Sequence, residues 1–379
     1  MNAIDESRFA SEAGDRDRVE NSPPESITVR LLPVGMGDCI LLRFPDGSWA
    51  VIDCGQKRGM FDPPRLAASF IANEDALEQA PAPVRFILVT HPHADHDGGV
   101  LQLMQLLGNR KIGAVYYCGE ERRSHAGFSG TTSDDGKFSF VNEARGRHQR
   151  GIIAKWGILK KGDTWELPMS THEVMIRVLW PEKVHPIEGK GDALGGDAVN
   201  NLSVVIHVQF GKASAVFMGD VEGQVCSSVA REAALLQPNL IKGPHHGARE
   251  SALLKVLFGS KKEGNRCLLL STDTGKLKHP HPDFLNNVPR DDGWRIRCTG
   301  LAKTCIGREA GISWPVAVAN KWIPESLRRA LLAMGGRSRV QELDVQLGCC
   351  VDNWVEMCSD GTLKIAVAQK SCDAVASFS

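Results

Sequence analysis

The stretch VRFILVTHPHADHDGG (84–99) decides the reading of this chain. Its first half is an apolar, β-branched run of strand length. Its second half packs three histidines and two aspartates into residues 91–97 and ends on a glycine pair. GGVLQLMQLL (98–107) then continues with helical spacing, so the cluster sits on a strand-to-helix turn. Imidazole nitrogen and carboxylate oxygen suit Zn²⁺, Mn²⁺ or Fe. His91 and His93, two residues apart on an extended turn, can grip one ion from one side. Asp95 and His96, displaced by the start of the helix, can face a second. Two ions about 3.5–4 Å apart can hold a bridging hydroxide as nucleophile and stabilise a leaving oxygen.

Four ligands on one turn do not close two sites, so others are expected from distant strand ends. ASAVFMGD (213–220) ends a strand-like run on Asp220, whose carboxylate can bridge two ions. NLIKGPHHG (239–247) ends on His245 and His246, and KHPHPDFL (278–285) offers His279 and His281. Seven of the 12 histidines fall in these three clusters, each behind an apolar run, a pattern that scattered surface histidines do not produce. Asp53, closing WAVIDCG (49–55), is placed to accept a hydrogen bond from a ligand histidine and fix its orientation.

Working outward, ITVRLLPV (27–34), CILLRF (39–44) and WAVIDCG read as strands, with DGS (46–48) a hairpin turn. DPPRLAASFIANEDALEQ (62–79) reads as a helix. KIGAVYYC (111–118) is a strand, and NEARGRHQRGIIAKWGIL (142–159) a basic helix-like segment. EVMIRVLW (173–180), LSVVIHVQF (202–210), CLLLSTD (267–273) and WRIRCT (294–299) are strands. EGQVCSSVAREAALL (222–236) and ESALLKVLF (250–258) are helices. Strands dominate the first third and then alternate with helices, which predicts an α/β layered domain over 27–300. Residues 1–26 are expected to be a disordered tail. Residues 301–379 form a C-terminal extension with one helix-like run at 323–334.

Lys+Arg and Asp+Glu both number 45, so net charge exerts no overall pull toward nucleic acid or an anionic membrane. No apolar run approaches the roughly 18 residues of a membrane span. The polar N-terminus lacks an apolar leader region, and 11 cysteines, an odd number, fit reduced thiols in a cytoplasm. Basic stretches between 111 and 161 are expected either to flank a phosphate-rich ligand or to form a solvated helix face. The long 119–140 segment is a candidate lid.

These motifs resemble the metallo-β-lactamase fold superfamily. VGMGDCILLRFPDGSWAVIDCG (34–55), LVTHPHADHDGGV (88–100), NNLSVVIHVQFGKASAVFMGD (200–220), IKGPHHGARES (241–251) and HPHPDFL (279–285) resemble, in order, the hydrolase domain of competence-type DNA-uptake proteins and its free-standing soluble relatives. The resemblance implies an αββα sandwich, two mixed sheets flanked by helices, with a dinuclear site at one edge. It also implies hydrolysis, most plausibly of phosphodiesters in nucleic acid or nucleotides. Carried over by position, His91 and His93 hold the first ion. Asp95, His96 and His245 or His246 hold the second, with His246 favoured, and Asp220 stands between them. Many members place a third histidine before the strand starting at Leu202; GGDAVNN (195–201) has none, which leaves Asp197 or Asn200 to reach the metal. An oxygen-rich first site leans toward Mn²⁺ rather than Zn²⁺.

Asp38 of GMGDC reads either as a catalytic group near the metal-bound water or substrate, or as a turn aspartate bonding its own backbone. His279 reads either as a catalytic group that protonates a leaving group or contacts a phosphate, or as a histidine held by its Pro-rich turn. Asp95 counts with both the ligands and the catalytic groups. Cys298, Cys305, Cys350 and Cys358 are expected either to form a structural zinc site or to stay as buried free thiols. The alternatives to a nuclease or phosphodiesterase are a small-molecule ester, thioester or lactone hydrolase on the same fold, and a non-catalytic subunit of a multi-protein system.

Overall fold

The computed structural model describes residues 25–32, 34, 37–56, 62–78, 82–120, 140–183, 185–186, 199–251, 255–258, 266–272, 279–289, 293–299 and 354–365. Strands β1 (Ser26–Leu31), β2 (Cys39–Arg43), β3 (Trp49–Cys54), β4 (Val84–Leu88) and β5 (Ile112–Tyr117) come first, with α1 (Pro63–Glu78) and α2 (Val100–Leu106) beside β4. They are followed by β6 (Gly119–Glu120), α3 (Phe140–Gln149), β7 (Ile153–Ile158), β8 (Thr164–Pro168), β9 (Glu173–Trp180) and β10 (His185–Pro186). The second half contains β11 (Val205–Phe210), β12 (Ala213–Phe217), α4 (Gly223–Leu235), β13 (Leu240–Lys242), α5 (Lys255–Phe258), β14 (Arg266–Leu270), α6 (Pro282–Leu285) and β15 (Trp294–Cys298). β16 (Trp354–Cys358) and β17 (Leu363–Ile365) close the described chain.

Two mixed sheets pack face to face. The first runs β17-β16-β1-β2-β3-β4-β5-β7 and the second β15-β14-β13-β12-β11-β9-β8, with β6 and β10 as a separate short pair. The layering follows from side-chain alternation. Ile206, Val208, Phe210, Ala215 and Phe217 point into the core between the sheets. Val205, Val216, Met218 and Ile241 point the other way, under α4, α5 and α6. Strands buried on both faces need apolar residues at nearly every position, which is why these runs lack a polar alternation. Helices α1, α2 and α3 cover the first sheet, giving the expected αββα sandwich.

Three departures from the sequence reading have local causes. The segment 142–159 is not one helix: α3 stops, Gly151 turns with φ 69°, and β7 follows. A glycine past the last helical residue is a stop signal, and IAKWGI then pairs with β5. Strand β8 was not anticipated; it is half exposed at a sheet edge, so its apolar signal is diluted. The sandwich also takes residues from beyond 300, because β16 pairs antiparallel with β1 and buries Val355 and Met357 in the main core. Without it β1 would present an open row of backbone donors and acceptors.

Candidate metal centre

Parallel strands β3, β4 and β5 all end at the same edge of the first sheet, and β12 and β13 end opposite them in the second. The 91–99 turn lies between. It packs so closely on the β3 end that a Cβ on Gly55 would sit 2.3 Å from the Asp95 carbonyl oxygen, and one on Gly99 would sit 2.3 Å from that of Gly55. Only glycine fits at these two crossings. Cys54 N–H donates to the His96 carbonyl (2.7 Å), and Gln56 N–H to that of Ala94 (2.7 Å), which staples the turn to the strand.

The centre is organised around one carboxylate oxygen. Asp220 Oδ2 lies 3.1 Å from His96 Nε2, 3.5 Å from His246 Nε2 and 4.0 Å from His91 Nε2. His93 Nδ1 is 3.1 Å from His91 Nε2, and Asp95 Oδ2 is 3.7 Å from His246 Nε2. The two groupings His91–His96–Asp220 and Asp95–His96–His246 each bring their ligand atoms within 4.8 Å of one another. His246 Nε2 and Asp220 Oδ1 are buried with no hydrogen-bond partner among the described residues. Leaving such atoms unpaired is costly, and a divalent cation satisfies both, so the residues fit the expected metals.

The ligand histidines are braced from behind. Asp53, at φ 58°, is fully buried and accepts from Thr90 N–H and Thr90 Oγ1 (2.7 Å each) and from His96 Nδ1 (2.7 Å). Because Thr90 gives its hydroxyl proton to Asp53, it can only accept from His91 Nδ1, 3.0 Å away. Ser203 Oγ accepts from Asp220 N–H (2.9 Å) and lies 3.2 Å from the same His91 nitrogen. Burial opposes charge on His96, but Asp220 and Asp53 on its two sides outweigh that and raise its pKa well above the ordinary value. Burial likewise opposes the charge of Asp220, and His96 and His246 overcome it and hold the carboxyl well below the usual range. For His91, burial dominates, His96 adds to it, and the imidazole is held neutral.

The GPHHG turn separates its two histidines. His245 (φ 39°, ψ 51°), His246 (φ 53°, ψ 18°) and Gly247 (φ 81°) are all left-handed, a costly run for non-glycine residues that is concentrated at functional sites. It sends His246 into the cluster and His245 to an ion pair with Glu222. Asn200 Nδ2 also donates to Glu222 (2.9 Å), and its Oδ1 is buried with no hydrogen-bond partner among the described residues. Asp197 lies outside the described residues. Asp97 turns away from the centre: it is buried with no partner for either carboxyl oxygen among the described residues, and burial pushes its pKa well up.

Asp38 is 1% exposed. Its N–H donates to the Asp95 carbonyl of the metal-ligand turn (3.0 Å), and its side chain pairs with Lys242. His279 is half-buried, its ring 5.4 Å from that of His245. Burial first, then His245 and His246, push its pKa down to about 4. At neutral pH it is therefore the neutral imidazole and lacks the extra proton needed for strong acid catalysis.

Arg122 and Arg123 of the basic stretch lie outside the described residues, and Arg147 and Lys111 sit away from the centre. Arg147 donates to the Gly108 carbonyl, and Lys111 to that of Gly151 (3.1 Å), at the start of β5 and β7 and so at the end of the sheet away from the ligands. Lys161, at the near end, is paired with Glu232 (2.7 Å). Most of the lid candidate, 121–139, lies outside the described residues.

Cys298 and Cys358 are buried. Cys298 is in register with Leu270 at the ligand end of the second sheet. Cys358 is in register with Ser26, beside the β11–β12 hairpin at the opposite end. One zinc ion cannot take both; Cys305 and Cys350 lie outside the described residues.

Thr90, Ser203, Lys242, Glu222 and Ser271 were missed by the sequence reading. Each adjoins a motif that was recognised, but a serine or lysine beside a histidine cluster carries no signal until its contacts are seen.

The fold and this centre define a metal-dependent hydrolase. A profile of the metallo-β-lactamase superfamily matches residues 32–261, and the chain belongs to that superfamily. The metallo-β-lactamase fold protein YhfI from Bacillus subtilis is 11% identical, with 72% of this chain and 96% of that one covered at a TM-score of 0.41. Tm1679, a metal-dependent hydrolase of the β-lactamase superfamily, is 11% identical, with 72% and 95% covered at 0.40. Zn²⁺-bound PqqB from Methylobacterium extorquens is 12% identical, with 70% and 86% covered at 0.34. No curated protein sequence matches the chain. No described helix is long and apolar enough to cross a membrane.

Proposed function

We propose that this protein is a cytoplasmic metal-dependent phosphodiesterase or nuclease, a soluble relative of the competence-type DNA-uptake hydrolase domain. The observation that carries the reading is Asp220 Oδ2, within 4.0 Å of the ligand nitrogens of His91, His96 and His246. His91, His93 and Asp220 would hold one ion, and Asp95, His96, His246 and Asp220 the other. Bound Zn²⁺ or Mn²⁺ supplies Lewis acidity, lowers the pKa of a water and offsets charge on phosphate oxygens. Asp53 and Thr90 keep the lone pairs of His96 and His91 turned inward. His245, fixed by Glu222, and neutral His279 stand side by side at the edge of the centre, where their ring nitrogens can orient a phosphate.

One observation favours the second reading, a small-ester or lactone hydrolase. Arg147 and Lys111 of the basic stretch sit at the far end of the first sheet, so a long polyanion would gain little from these two. The test is to load the purified protein with Mn²⁺ or Zn²⁺ and offer bis(p-nitrophenyl) phosphate, single- and double-stranded DNA, RNA and a lactone panel. Phosphodiester turnover that disappears in Asp220→Ala is the expected result. Turnover of lactones alone would overturn it.

A further inference from the structure

Lys242 ends β13 with its side chain 1% exposed, in a centre otherwise rich in carboxylates. Lysine is almost never buried to this degree without a specific partner. Its ammonium lies 2.6 Å from Asp38 Oδ2 and donates to its neighbour Gly243's carbonyl (2.9 Å). The other oxygen of Asp38 accepts from Ser271 Oγ, and Ser271 Oγ lies 2.7 Å from His246 Nδ1. Three elements far apart in sequence, the β1–β2 turn, the end of β13 and the end of β14, thus meet behind one ligand histidine.

The proton bookkeeping of this chain has one solution. Asp38, paired with an ammonium, is a carboxylate and only accepts. Ser271 has a single hydroxyl proton, and it goes to Asp38. Ser271 Oγ must then accept from His246 Nδ1–H. In the neutral imidazole this leaves Nε2 as the bare nitrogen, facing Asp95 (3.7 Å) and Asp220 (3.5 Å) with no hydrogen-bond partner among the described residues.

We infer that Lys242 is a positioning residue: acting through Asp38 and Ser271, it selects the Nδ1–H tautomer of His246 and holds its ring for metal. This deepens the hydrolase reading, since it concerns the metal centre on which that reading rests, and it is independent of which ester is cleaved. His96 obtains the same outcome from Asp53 directly; His246 reaches its carboxylate through a serine, and the lysine holds that carboxylate in place.

The experiment measures Zn²⁺ binding by chelator competition in the metal-free protein, together with the ¹⁵N imidazole spectrum that reports each tautomer. Lys242→Met alone strands a buried carboxylate and invites misfolding. The informative variants are therefore Ser271→Ala, which breaks the chain without changing charge, the charge-neutral pair Lys242→Met/Asp38→Asn, and Lys242→Arg as the conservative rescue. Ser271→Ala and the neutral pair should weaken the Zn²⁺ equivalent held by Asp95, His96 and His246 by about 10- to 100-fold, spare the one held by His91 and His93, and shift His246 to mixed tautomers. Lys242→Arg should restore both readouts. Two equivalents bound with unchanged affinity in Ser271→Ala, or an unchanged His246 tautomer there, would overturn the inference. A protein that cleaves no phosphodiester yet loses the ion of the His246 half in Ser271→Ala would refute the substrate and leave this relay standing.

Discussion

The two halves of the centre share Asp220 but are built differently. His96 and His246 are fully buried, and each is tied to a carboxylate, His96 directly through Asp53 and His246 through Ser271 and Asp38. His91 is buried too and reaches Asp53 through the Thr90 hydroxyl, with Ser203 beside it, while His93 is partly exposed. No described residue supplies a third histidine to the His91–His93 side. A carboxylate bonded directly behind an imidazole, as Asp53 is behind His96, raises its basicity and fixes its ring more than one reached through a hydroxyl. The Asp95–His96–His246 half should therefore bind its ion more tightly.

Removing the shared ligand should have the largest effect. Asp220→Ala is expected to lower turnover by on the order of a thousandfold or more and to reduce bound metal below one ion per chain, read by elemental analysis and steady-state kinetics. Retention of both ions would break the picture of a shared carboxylate. Next, His91→Ala/His93→Ala should lose the weaker equivalent and keep the tighter one, while His246→Ala should do the reverse. Equal losses in the two titrations would remove the asymmetry.

Asp53→Asn isolates the charge behind His96, because asparagine tolerates the same left-handed backbone. A loss of about 10- to 100-fold in affinity for the tighter ion is expected by chelator competition. The pH dependence has a definite sign. In the metal-free fold His96 is held protonated above its ordinary pKa, and its Nε2 must lose that proton to a metal. Affinity should thus fall as pH falls and proton release should accompany binding, measured by calorimetry in buffers of different ionisation enthalpy.

The smallest effect belongs to His279. Its folded pKa of about 4 lies below the roughly 6.5 of an unfolded histidine. Its neutral form favours the fold above pH 6.5, and that contribution is lost as pH falls toward 4. His279→Phe should flatten acid destabilisation in that window by about 1 kcal/mol, since the group is only half-buried and solvent screens the rest. A wild-type acid limb in a chemical denaturation series would show that His279 titrates normally.

Much of the centre was legible before any coordinates. The apolar run into HPHADH, the FMGD strand end and the GPHHG turn each combine a strand signal with ligand-type side chains, and these features are local. Asp38 shows where this stops. As one aspartate in a glycine turn it reads equally as a catalytic group or a turn-former, and only the folded chain brings it to Lys242 and Ser271. The basic run 144–150 misleads for the same reason: its composition says nothing about which end of a strand it occupies. β16 was invisible as part of the sandwich because its partner, β1, lies more than 300 positions earlier in the chain.

By itself, then, the sequence determined the layered α/β class and placed the candidate ligand side chains at strand ends. These depend on side-chain periodicity and residue chemistry, which operate over a few residues. The tertiary structure alone decided which histidine of the 245–246 pair enters the centre, which nitrogen of each ring faces inward, and that Asp38 works from behind a ligand. Those outcomes rest on left-handed backbone angles and on hydrogen-bond donors and acceptors arriving from separate strands, and no local pattern encodes them.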